Sequence, residues 1–210
     1  MRSGEIYCLL GANGAGKTTA INLFLHFIRP NAGVARINGV DVTQAPLDTK
    51  RDVAYIPEMV SLYPTLTGLE NLSYFAALAT GVLTPKERLL ELLDQVGLDR
   101  AAVGRRVRGY SKGMRQKVWI AVAMAKQARA LLLDSPRRAG PSRRGRVRFA
   151  AARCRGSGCR RPHNHARPVP CWKHATRMGI MKAGRLVEDL SGSQVRSTDL
   201  QAMYLRHMRG

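Results

Sequence analysis

The chain has 210 residues, 45% of them hydrophobic, which is enough for one domain with a real core and excludes both a short peptide and a disordered tail. No stretch approaches the ~18 to 20 continuous apolar residues that span a bilayer, and the N-terminus lacks the basic and apolar regions of a signal peptide, so any membrane role is expected to come through a partner. The formal net charge of +21 would point to nucleic acid or an anionic membrane if it were spread out, but it is local: residues 135–177 carry 13 Lys and Arg and no Asp or Glu.

In chain order, EIYCLL (5–10) is an apolar run that stops at glycine, and a helix-compatible stretch follows from Lys17 to Ile28, giving strand, loop, helix. Arg29 to Gly33 make a turn, after which VARINGVDV reads as a hairpin with Asn38-Gly39 at its tip. DVAYIP (52–57) reads as another strand, ended by proline. Residues 67–107 are expected to be helical, with capping-box spacing at Thr67/Glu70 and at Thr84/Glu87, and with Pro85 at the first helical position. A further helix is expected from near Ser111 through GMRQKVWIAVAMAKQ, leading to ALLLD, a buried strand that ends in a carboxylate at Asp134.

From Ser135 to about Trp172 the chain is rich in Arg, Gly, Pro, Cys and His, without sustained apolar periodicity. MGIMKAGRLVEDL then reads as two short strands around Ala183-Gly184, before a last helix near Asp199 to His207. Cys154, Cys159 and Cys171 lie in the basic stretch and Cys8 in an apolar run, which does not argue for a disulfide framework.

GANGAGKT, Gly11 to Thr18, satisfies the phosphate-loop pattern and lies between a strand and a helix, where that pattern has to lie; a glycine-rich turn without nucleotide is the bland alternative. Gly11, Ala12, Asn13, Gly14, Ala15 and Gly16 would wrap backbone N–H groups around the phosphates, with Lys17, Thr18 and Thr19 opening a helix whose positive dipole end meets the anion. Lys17 would reach the β and γ phosphates. The Thr18 hydroxyl and Asp134 would hold Mg²⁺.

YSKGMRQ, Tyr110 to Gln116, resembles the signature of the ABC-type ATPases, usually written LSGGQ followed by a polar position and glutamine. Ser111, Gly113 and Gln116 match, while Tyr110, Lys112 and Met114 depart from the commonest form. The resemblance implies that Ser111, Lys112, Gly113 and Gln116 close over the γ-phosphate held by an opposing subunit, so that active dimers are head to tail. AYIPEMVSLYPTLTGLENL, Ala54 to Leu72, is similar to the family's Q-loop region, which senses nucleotide and touches membrane subunits, with Glu58 at the glutamine position. The resemblance covers residues 4–134 well and 176–190 weakly.

Two departures stand out. The family follows the Walker B aspartate with a catalytic glutamate, a D-loop close to GLDP, and a strand ending in histidine; this chain has Ser135 after Asp134 and none of those three features. Serine cannot act as general base for the attacking water, so ATP is expected to be bound and hydrolysed poorly. Residues 135 to about 172 are expected to be a misread frame: SPRRA can be encoded by bases that in a shifted frame read EPTAG, AGPS through RVR can read LDP then AEFA, and RRPHNHARPVP can read AVLITTHDLFR. Two other readings stand beside it. One takes Cys154, Cys159, His163, His165, Cys171 and His174 as metal ligands in a basic nucleic-acid-binding insert, with only Phe149 and Trp172 for base stacking; the other is a solvated disordered loop. Family members also place about 25 residues, including an adenine-stacking aromatic, before the phosphate loop, so either a misassigned start codon or a truncated start is expected and no adenine contact is assigned.

These features together imply an α/β fold, a P-loop NTPase core with a helical subdomain at about 67–128, forming a single ABC ATPase domain over 1–210. The implied protein is the ATP-binding subunit of an ABC transporter, using ATP and Mg²⁺, paired with a second ATPase subunit and with membrane-spanning subunits at the cytoplasmic face of the membrane. Export is favoured by Glu58 and by YPTLTGLENL. No nucleic acid and no metal beyond Mg²⁺ is expected. The competing functions are a soluble ABC-type ATPase acting on nucleic acid or ribosomes, which usually carries two cassettes per chain, and a non-catalytic nucleotide-binding regulator.

Overall fold

The computed structural model describes residues 4–134, the backbone of 146–153, residues 175–191 and residue 194. Ser135, the Cys and His residues between 154 and 174, Trp172 and the helix expected near 199–207 lie outside the described residues.

The first strand, β1 (Ile6–Gly11), leads through the glycine-rich loop into helix α1 (Lys17–Phe24). That helix stops four residues short of Ile28: His26 turns left-handed at φ 52°, and the Phe27 N–H closes onto the Asn22 carbonyl at 2.8 Å, satisfying a carbonyl the helix would otherwise leave open. Strands β2 (Arg36–Ile37) and β3 (Val40–Asp41) form the expected hairpin, with Asn38 and Gly39 both at positive φ. Helix α2 (Pro46–Asp52) follows, unanticipated from the sequence, with Pro46 in its first turn; it runs directly into β4 (Val53–Ile56).

The expected helical region divides into α3 (Gly68–Thr80), α4 (Lys86–Gln95), α5 (Arg100–Val103) and a 3₁₀ turn at Val107–Gly109, broken at Gly81 and Gly97, both with positive φ. The Thr67/Glu70 capping box forms. The Thr84/Glu87 box does not: Pro85 is itself the N-cap, extended at ψ 143°, and α4 starts one residue later at Lys86, which leaves Thr84 too far back to reach the first turn. Helix α6 (Lys112–Ala125) starts at its Ser111 cap and leads to β5 (Ala130–Leu133). The last described strands are β6 (Arg146–Arg153), β7 (Arg177–Lys182) and β8 (Arg185–Ser191).

One sheet orders these strands β4-β5-β6-β1-β7-β8. β4 with β5, and β1 with β7, pair in parallel; β6 runs antiparallel to both β5 and β1, and β8 antiparallel to β7. The C-terminal ends of β4, β5, β1 and β7 therefore share one edge, where open sheets of this kind bind ligands. Residues 146–153, which show no sustained apolar periodicity in the sequence, complete the ladder between two strands that would otherwise present unpaired edges.

Two apolar clusters organise the packing. Leu9, Ile21, Leu25, Val42, Val53 and Leu132 fill the space beside the sheet, while Leu72, Leu89, Leu92, Leu93, Val118 and Ala121 join α3, α4 and α6. Polar contacts tie the clusters together: Trp119 Nε1 donates to the Tyr55 carbonyl at 2.9 Å, and Lys126 Nζ donates to the carbonyls of Lys50 and Val53 at 2.6 and 2.8 Å. Burial holds the Lys126 ammonium below the ordinary lysine range, with the Asp52 carboxylate partly opposing that shift.

Asn71 lies fully buried on α3 and accepts from the Tyr63 N–H at 2.8 Å while donating to the carbonyls of Tyr63 and Thr67 at 3.0 and 2.9 Å. It thereby pins the loop before α3 to the helix. Asn71→Ala would leave those backbone groups without partners, and denaturant unfolding is expected to show a loss of about 3 kcal/mol; an unchanged midpoint would contradict this role.

Candidate nucleotide-binding site

The loop between β1 and α1 turns on Gly14 and Gly16, both left-handed at φ 77° and 100°. Gly16 caps α1 with no side chain to satisfy the helix's first N–H groups, and no acid lies in the first turn. An uncapped, acid-free helix start keeps its positive dipole end available to an anion. Ala15 N–H bonds to the Ala12 carbonyl at 3.2 Å, which closes the loop on itself.

Lys17 is 2% exposed, and its Nζ donates to the carbonyls of Gly11 and Ala12 at 2.7 and 2.5 Å. The two loop carbonyls it donates to help to hold so deeply placed an ammonium inside the loop. Thr18 and Thr19 follow on the same turn of α1 and are both exposed beside it. Asn13 and Gly14 form the outer rim.

Asp134 follows β5 directly, and its N–H donates to the Ile56 carbonyl at 2.9 Å. β5 and β1 are separated by the single strand β6, which puts their ends about 10 Å apart across two strand spacings. Glu58 lies two residues beyond Ile56, on the same edge and next to Asp134 in the sheet order. Lys17, Thr18, Glu58 and Asp134 are therefore gathered on one edge of the sheet.

The signature residues are elsewhere. Ser111 is exposed and accepts from the Met114 N–H at 3.3 Å, which makes it the cap of α6; Lys112 and Gly113 are exposed beside it, and Gln116 is half-buried one turn on. Tyr110, the departure from leucine, is buried, and its hydroxyl donates to the Ala102 carbonyl at 2.6 Å. A Cβ added at Gly68 would lie 2.2 Å from that hydroxyl oxygen, so the glycine at the start of α3 makes room for the larger ring and locks the entry of α6 against α3 and α5. Burial raises the Tyr110 phenol above its ordinary pKa, which keeps it a neutral donor.

Sequence reasoning missed two features. Met59, Leu62, Pro64, Val107 and Arg115 line a cleft of about 240 Å³ between the segment after β4 and the first turn of α6. Arg115 Nε is buried there with no hydrogen-bond partner among the described residues; its position inside the signature was the only hint. The other is the turn between β7 and β8, which packs on the phosphate loop through Met181 and Gly184, some 165 residues downstream of Gly16, and no local pattern signals that contact.

Among the described residues no helix is long and apolar enough to cross a membrane. The family profile described as ABC transporter matches residues 1–138. The doxorubicin resistance ATP-binding protein DrrA of Mycobacterium tuberculosis is 38% identical over 137 residues, covering 65% of this chain and 41% of that protein. The sulfate/thiosulfate import ATP-binding protein CysA 2 of Chromobacterium violaceum is likewise 38% identical over 137 residues, covering 65% of this chain and 37% of that protein. The chain thus spans about two fifths of the length of these curated relatives. A dimeric ATP-binding cassette in a post-hydrolysis state, bound to ADP and Pi, superimposes with a TM-score of 0.66 at 17% identity, covering 91% of this chain and 87% of that one, a likeness of fold. With a profile match over more than half its length and a P-loop α/β core of the cassette type, the chain belongs to the ABC transporter family.

Proposed function

We propose that the chain is an ATP-binding subunit whose binding of ATP drives a head-to-tail dimer and, through it, movement in separate membrane-spanning subunits at the cytoplasmic face of the membrane. The observation that carries this reading is the buried Lys17 ammonium inside a loop that ends in an uncapped helix start. Backbone N–H groups and Lys17 would take the phosphates, and the Thr18 hydroxyl and Asp134 carboxylate form a hard-oxygen donor set suited to Mg²⁺. Crowding at Gly11 and Gly16, where any Cβ would meet Met181 or Gly184, supports a cradle shaped by backbone rather than side chains. The ion would neutralise phosphate charge when bound.

Ser111 and Gly113, exposed at the start of α6, suit a role in the partner's site rather than in their own chain's. The cleft around Arg115 supports docking of a membrane subunit beside Glu58. Export is the direction that Glu58 and the Tyr63–Leu72 stretch favour, although a resistance protein and an importer are equally similar to this chain.

Ser135 in the position of the general base makes ATP binding the dominant activity of this sequence. The antiparallel course of β6 is consistent with a misread frame over 135–172, because a strand in that slot running parallel to β1 and β5 would deliver its last residues to the phosphate edge, and β6 delivers its first.

Lys17→Ala is expected to raise the Kd for MgATP by about 100-fold with the fold intact; undiminished binding would remove the basis of this function. In light scattering, MgATP should convert wild-type monomers to dimers while Ser111→Arg stays monomeric with its ATP affinity kept; dimerisation of that variant would contradict the head-to-tail arrangement. Resequencing the gene between the codons for Lys126 and Leu186 should reveal three single-base shifts that restore a glutamate, a D-loop and a histidine. Confirmation of the present bases would refute the misread frame and leave a binding-only protein.

A further inference from the structure

The turn that joins β7 to β8 is built against the phosphate loop. Gly11 pairs in register with Met181, and a Cβ at Gly11 would lie 2.5 Å from the Met181 carbonyl oxygen. A Cβ at Gly16 would meet Met181 Cε at 3.0 Å and Gly184 Cα at 3.2 Å. The Gly184 N–H donates to the Ala15 carbonyl at 3.0 Å. Ala183 and Gly184 are both left-handed, at φ 48° and 80°, the geometry of a tight two-residue hairpin turn, and the β7–β8 register shifts between Ile180 and Met181 just before it. That irregularity bends the end of the hairpin, and the end of the hairpin is what touches the loop.

Resting on the nucleotide-binding reading above, we propose that the Lys182–Arg185 turn is a positioning element that sets the affinity of the phosphate loop. A trans peptide is planar, with its C=O and N–H pointing in opposite directions. The bond from Gly184 draws the Ala15 carbonyl toward the turn, and the Gly16 N–H of the same peptide unit therefore points away from it, to the face where an anion binds. Fixing one end of the plane fixes the other. The turn also stands where any side chain at Gly16 would stand, so it holds the left-handed Gly16 that starts α1.

Substitution at Gly184 separates this role from general stability. A Cβ there meets nothing within 4 Å, so the cost of Gly184→Ala is the strain of φ 80° alone, which shifts the turn and its N–H without a clash. Gly184→Val adds β-branching to the same strain. MgATP titration is expected to give Kd values raised about threefold for Gly184→Ala and about tenfold for Gly184→Val. Leu190→Ala, at the buried far end of β8, removes hairpin packing without touching the turn; it should lower the unfolding midpoint and leave Kd unchanged. Unchanged Kd in Gly184→Ala or in a folded Gly184→Val would overturn the proposal, as would a rise in Leu190→Ala matching that of the Gly184 variants. Absence of MgATP binding by the wild-type chain would instead overturn the nucleotide-binding reading on which the proposal rests.

Discussion

A carbon atom cannot be added at Gly11 without coming to 2.5 Å from the carbonyl oxygen of Met181, and that close backbone approach is the constraint around which the site is built. It requires β1 and β7 to lie side by side in one register, with the glycine at the point of contact. Because β1 is so placed, the chain leaves the sheet at Gly11, turns on Gly14 and Gly16, and enters α1 with its first N–H groups uncapped by any side chain. Lys17 follows with its ammonium buried against the carbonyls of the same loop. Charge, dipole and backbone donors converge because two strands are packed too tightly for a side chain.

The helical part depends on a second close approach of the same kind. Gly68 accepts the ring of Tyr110, whose hydroxyl reaches the Ala102 carbonyl, so the start of α3, the end of α5 and the entry to α6 are set by one aromatic residue. The exposed Ser111 cap is thereby presented on a rigid base. Trp119 and Lys126 carry the connection back to the sheet through the backbone of β4 and the end of α2. Helix α6 is thereby tied to β4, the strand that leads to Glu58, and the Arg115 cleft lies between the segment after β4 and the first turn of α6.

What was legible in the sequence follows from how local the determinants are. The loop Gly11–Thr18, the Asn38-Gly39 turn, the Thr67/Glu70 box and the Ser111 cap are each decided within a few residues, and each is found where the pattern put it. Helix lengths were less legible: α1 ends early because His26 takes a left-handed conformation that no glycine announces, and α4 starts late because Pro85 is extended rather than helical. α2 was missed because seven residues carry too little periodicity to declare a helix. The contact of the β7–β8 turn with the phosphate loop is a property of strand order, and strand order is not written in any local stretch. β6 was illegible for a related reason, since its place is set by the open ladders of β5 and β1 on either side.

A crystal structure of the chain grown with MgADP will show whether this loop holds the phosphates of a nucleotide. Phosphate oxygens are expected within hydrogen-bonding distance of Lys17 Nζ and of the backbone N–H groups from Gly14 to Thr19, with the metal ion bound through the Thr18 hydroxyl. A structure with the nucleotide bound away from this loop, while Lys17 still faces the carbonyls of Gly11 and Ala12, would contradict that expectation.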